Sequence, residues 1–146
     1  MSDPFVLATV LWLCSGLMLL RVTGQLVVFL RAPSWLPPMG QWQSGLVPYW
    51  FLLSAQAVVL ALMFWIASDF ARGAGFWVQP WPRLGRIVLG WSYLYAAAMV
   101  VRYIIRMSRR PDQRWLGGTI PIIFHLVLAI FQWTFARYHL AQVAIS

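Results

Sequence analysis

The side chains of this chain that could do chemistry are few, and most stand inside apolar runs. His125, Ala129, Gln132, Ala136 and His139 fall at offsets 0, 4, 7, 11 and 14, which at about 100° per residue is one stripe along a helix. Small residues interleaved with polar ones mark a helix face that packs closely and hydrogen-bonds. Tyr95, Arg102, Arg106 and Arg109 share a face of a second segment, with Trp91 and Met99 beside it. Cys14, Met18, Arg21 and Gln25 fall within one sector of a third, and Tyr49, Gln56 and Met63 recur at heptad spacing in a fourth.

The histidines raise the question of a haem. Fourteen residues of helix span about 21 Å, a spacing comparable to that of the stacked haem ligands of b-type membrane cytochromes. Each haem there takes a second axial ligand from another helix, and this chain has two histidines in all. Met18, Met63 and Met99 are the remaining sixth-ligand candidates, unless a symmetric dimer supplies the missing pair. A chlorophyll-type pigment would need one axial histidine. The expectation is no cofactor, with His125 a polar core residue and His139 an interfacial one; haem or pigment on His125 and His139 is the weaker alternative. Cys14 has no partner for an intrachain disulfide or a C-x-x-C relay, and reads as a small buried residue.

What is missing excludes more than what is present implies. The three acids, Asp3, Asp69 and Asp112, lie at segment ends or in a connection, and there is no Glu, Lys or Asn. Proton-coupled carriers need a membrane carboxylate that takes and gives a proton, and small multidrug transporters turn on an embedded Glu. Membrane glutathione and eicosanoid enzymes share this size and basic character, but their Glu and Asn positions have no counterpart. Paired cysteines for thiol–quinone chemistry, a zinc ligand set and a Ser–His–acid arrangement are equally lacking. Acid–base work by His125 with Tyr95 or Tyr103 is the remaining catalytic option. The expectation is a non-catalytic protein.

The elements that must position these residues follow from composition. Hydrophobic residues make up 62% of the 146 and charged residues 10%, with a mean hydropathy of +0.73. A soluble domain carries roughly a quarter charged residues, and one this small could not bury so much apolar surface. A membrane helix needs about 20 apolar residues, and four segments qualify: residues 5–30, 46–68, 84–107 and 119–141. The fold expected is all-α, a single polytopic integral membrane four-helix bundle with short interfacial loops. Pro48 and Pro121 fall in first turns, where a missing N–H does no harm. The 31–45 and 72–83 connections combine Pro and Gly with Trp35, Trp42, Phe76, Trp77 and Trp81, the composition of a headgroup-level belt. Residues 1–4 carry no basic stretch, so the first run reads as a retained helix rather than a signal peptide.

Eleven Arg give a net charge of +8. No basic stretch has the polar context of a nucleic-acid face; the Arg residues sit near the ends of apolar runs, where they anchor helices and meet anionic lipid. The Arg-for-Lys bias is that of a GC-rich bacterial gene. Arg31, Arg102, Arg106, Arg109, Arg110 and Arg114 flank the first and third connections. Arg72, Arg83, Arg86 and Arg137 lie on the side of the termini. The positive-inside rule then places both termini outside, which is the periplasm in the bacterial inner membrane expected from composition.

Arg21, Gln25, Gln56, Arg102 and His125 all fall in the same half of the bilayer at about 1.5 Å per residue. No acid in any span neutralises them; Asp112 alone could fold back to one Arg. Three readings follow: snorkelling arginines with amides and His125 merely tying helices together; a polar cavity for an anionic or carbonyl-bearing lipophile, such as a phospholipid or quinone; or a seam completed by an acid on a partner subunit. The leading expectation is an accessory or assembly subunit of a larger membrane complex, or a self-associated one, with lipids as further partners. The alternative is a binding protein or carrier for an amphipathic ligand. Arg21, Gln25, Gln56, Tyr95, Arg102, Arg106, His125 and Gln132 form the candidate ligand- or partner-binding seam.

Overall fold

The structure is a computed structural model that describes residues 3–31, 33–35, 48–109 and 120–142. Its helices are α1 (Pro4–Arg31), α2 (Tyr49–Arg72), α3 (Pro82–Arg109) and α4 (Ile120–Ala141), with a 3-10 turn at Phe76–Val78 between α2 and α3. No strand occurs among the described residues. α1, α2 and α3 are long and apolar enough to cross a membrane. Residues 36–47 and 110–119, with Trp42, Arg110, Asp112 and Arg114, lie outside the described residues.

The helix ends shift from the expected ones for local reasons. Pro48 precedes the first helical residue instead of sitting within the first turn; its backbone is extended, and its carbonyl accepts the Leu52 N–H at 3.1 Å. α2 runs on to Arg72 because Gly73 takes the left-handed conformation, φ 66°, that lets a chain close a helix. The Gly73 and Ala74 N–H groups then bond the Phe70 and Asp69 carbonyls at 3.2 Å. Pro82 opens α3 at the first helical position, where its fixed φ suits the helix.

The interior seam of α1 is Leu7, Leu11, Cys14, Met18, Arg21, Gln25 and Val28, all buried. Steps of four and three give a 3.5-residue repeat that keeps one stripe facing its neighbours. On α2 the buried stripe is Tyr49, Gln56, Met63 and Phe70, a strict heptad. Both stripes are polar toward the first connection and apolar toward the other end. Among the described residues the extensive packing is of α1 with α2, α1 with α4, and α3 with α4. α3 packs chiefly on α4, and Gly85 and Ser92 are its buried residues.

The α2–α3 connection is tied rather than loose. Asp69, 1% exposed, pairs with Arg72 at 2.5 Å and accepts the Trp77 N–H at 3.3 Å. Gly75 has φ 133°, and a Cβ there would strike the Asp69 carboxylate. Gly75→Ala is accordingly expected to lower stability by about 1–3 kcal/mol, the cost of such a backbone strain. Gly73→Asn, in a region Asn tolerates, should be near neutral. Thermal melts in mild detergent check the pair, and equal melting temperatures would count against the tie.

Candidate functional site: two joined chambers beside α4

Only a helix crossing at close range brings polar side chains on separate segments together, and α1 and α2 cross at Gln25 and Gln56. Arg21 Nη1 donates to Gln25 Oε1 at 3.4 Å, and Gln56 Nε2 donates to the same oxygen at 3.3 Å. Arg21 also lies over the Phe124 ring, 5.9 Å from its centroid, a cation–π placement. From the other side, α3 and α4 bring the Tyr95 hydroxyl onto His125 Nδ1, with the rings edge to face at 5.3 Å. Arg102, one heptad beyond Tyr95 on α3, is half-buried and does not line the chamber they form.

These groups surround a chamber of about 210 Å3, bordered by Arg21, Gln56, Tyr95, Phe124 and His125 and floored by Met18. A second chamber, of about 320 Å3, lies toward the α2–α3 connection and is lined by Met63, Ile66, Trp77, Val88, Phe131 and Phe135. Val59 of α2 and Leu128 of α4 line both. The two therefore share part of their walls, and the second lies between α2 and the start of α3. The first is basic and hydrogen-bonding, the second almost wholly hydrocarbon and aromatic.

The structure thus brings Arg21, Gln25, Gln56, Tyr95 and His125 to one place, and Gln132 to the apolar chamber instead. Arg106 is half-buried and Arg109 exposed; neither lines a chamber. Snorkelling fails to describe Arg21, which is 7% exposed and turned to the interior. Trp91 is half-exposed, beside Tyr95 on the outer surface. Trp77, expected in an interfacial belt, folds inward onto Trp65 and Phe135, with ring centroids at 5.5 and 5.8 Å. Phe76 and Trp81 stay on the outside. Met18 was named in the sector of Arg21 and Gln25, but Leu128 and the Trp77 chamber were not legible as site residues. Extending the α2 heptad one step past Met63 to Phe70, which faces Phe135 and Tyr138, would have pointed there.

His139, expected at the interface, lies in the last turn of α4. It is fully buried among Phe70, Phe135 and Tyr138, and its Nδ1 accepts the Trp81 N–H at 3.0 Å. A backbone amide can only donate, so the neutral ring carries its proton on Nε2. That leaves no lone pair for an axial bond unless the tie to α3 is given up. His139 is a structural clasp between the end of α4 and the start of α3. Among the described residues no group of three or more His, Cys, Asp or Glu side chains could hold a metal ion.

Comparison with protein-family models, with curated proteins and with solved structures gives no match.

Proposed function

We propose that this chain is a four-span helical protein of a bacterial inner membrane, termini outside, that binds an amphiphile non-catalytically. The polar head takes the Arg21–Gln56–Tyr95–His125 chamber and the apolar tail takes the Trp77–Phe135 chamber. The observation that carries this reading is the adjacency of the two through Val59 and Leu128. Ligand sites are mostly apolar with a few convergent polar groups, and ionisable groups placed deep among membrane helices mark function more often than decoration. A guanidinium at the head end favours an acceptor-bearing group, a carbonyl, carboxylate or phosphate.

Val59 is the point at which to test it. Its side chain is 38% exposed, so Val59→Trp narrows the passage without crowding the core. Wild-type protein purified in mild detergent should release an amphiphile near one per chain on organic extraction. Val59→Trp should release several-fold less at an unchanged melting temperature. Equal yields from both, or no amphiphile from either, would remove the proposal. A subunit role draws support from α3, whose surface away from α4 is left open to a neighbouring helix; a particle of one chain's mass on native gels of gently solubilised membranes would exclude it.

A further inference from the structure

The tail chamber has a floor and a measurable depth. Leu128, Phe131 and Phe135 wall it on α4, and Val59, Met63 and Ile66 on α2. Both walls advance seven residues, Leu128 to Phe135 and Val59 to Ile66, which is about 10 Å of helix at 1.5 Å per residue. Trp77 stands at the end away from the head chamber. The Asp69 carboxylate accepts its backbone N–H at 3.3 Å, and the Tyr138 hydroxyl donates to the Val78 carbonyl beside it at 2.7 Å. Its ring lies against Trp65 and Phe135. A ring whose backbone is tied on both sides is a stop and not a flap.

Two separate measures say what fits. A fully extended chain advances about 3.3–3.6 Å over three bonds, so a depth of about 10 Å takes about eight or nine carbons laid straight. A cavity of about 150 Å3 holds the six carbons of benzene, so the 320 Å3 here takes about twelve carbons folded to fill it. Two tails of sixteen carbons would need about 800 Å3 on the same figure. We infer that the occupant carries a single tail of about eight to twelve carbons, that diacyl phospholipids are refused, and that Trp77 sets the limit. The inference rests on the amphiphile reading above and concerns the tail alone. A tail gains wall contacts as it fills the void. Carbons beyond the limit either crowd Trp77 or turn sideways into lipid, which is as apolar as the chamber and offers no gain.

The test holds wild-type protein in phospholipid nanodiscs, where no single-tailed detergent competes for the site. Saturated fatty acids of six to sixteen carbons are added at one fixed mole fraction of the bilayer, and the acid retained per chain is read by native mass spectrometry. Retention should peak between about eight and twelve carbons and fall several-fold by sixteen. Trp77→Leu should move the peak to longer acids by about two to four carbons. Leu62→Trp, on the chamber wall at a position 41% exposed, should move it to shorter ones at an unchanged melting temperature, and carries the test alone if Trp77→Leu does not fold. Retention that stays level or climbs from twelve to sixteen carbons, with the Val59→Trp effect intact, overturns the limit and leaves the amphiphile reading standing. If no acid is retained but the Val59→Trp effect holds, the extracted amphiphile decides: two tails, or one longer than about fourteen carbons, overturns the limit. No retention of any acid, together with no Val59→Trp effect, removes both.

Discussion

Gly85→Val is expected to separate α3 from α4 and leave little folded protein. A Cβ at position 85 would lie 3.0 Å from His139 Cβ and 3.2 Å from the Ala136 carbonyl oxygen. Neither atom is the free end of a flexible side chain, so the helices themselves must move apart. Overpacking of this kind costs about 1–3 kcal/mol, and α4 is the chief neighbour of α3 among the described residues. The shift would also draw Trp81 from His139 Nδ1, a bond of 3.0 Å. Gly90 is the control on the same helix, since nothing lies within 4 Å of its missing Cβ. Gly90→Ala should raise stability by up to about 1 kcal/mol through helix propensity alone. Opposite signs in thermal melts and in the monodisperse fraction on size exclusion are the expected result; two glycines that respond alike would mean the close approach is not there.

The second large effect is on the ligand. Arg21→Met should reduce amphiphile retention about 10- to 100-fold, the worth of one charge-assisted hydrogen bond. The Gln25–Gln56 bond at 3.3 Å remains to hold α1 against α2. Arg21→Lys keeps the charge but loses the planar fork, and should recover part of the retention. Arg109→Met, at an exposed position outside both chambers, should change nothing. Retained ligand in Arg21→Met would show that the cation does not contribute to binding.

Periodicity told which face of each helix turns inward, and told it well for α1 and α2. Arg21 and Gln25 continue a repeat begun at Leu7, and Gln56 lies in register between Tyr49 and Met63. It could not tell which neighbour a face meets, and α3 shows why. Its arginine face begins at Tyr95, which does reach the site, but α3 packs through Gly85 and Ser92 and leaves Arg109 outside. The α4 stripe was correct as a direction, yet its members serve three purposes along its length: His125 at the head chamber, Gln132 at the tail chamber, His139 as a clasp. Gly85 facing Ala136 was legible only as two small residues on separate segments. Trp77 looks like its neighbours in composition. Its inward turn depends on Asp69 receiving its amide, a contact eight residues apart that no helical or strand period encodes.

The open side of the tail chamber, between α2 and the start of α3, has a consequence for how any binding constant is read. On the proposed four-span, amphiphile-binding reading that opening meets acyl chains, and a solute arrives by two-dimensional diffusion within a leaflet and not from water. Occupancy is then governed by the solute's mole fraction among lipids, where a sparingly soluble amphiphile is already highly concentrated. An affinity that looks weak on an aqueous scale suffices to keep such a site filled, and diluting the protein with buffer would not empty it, whereas adding detergent would.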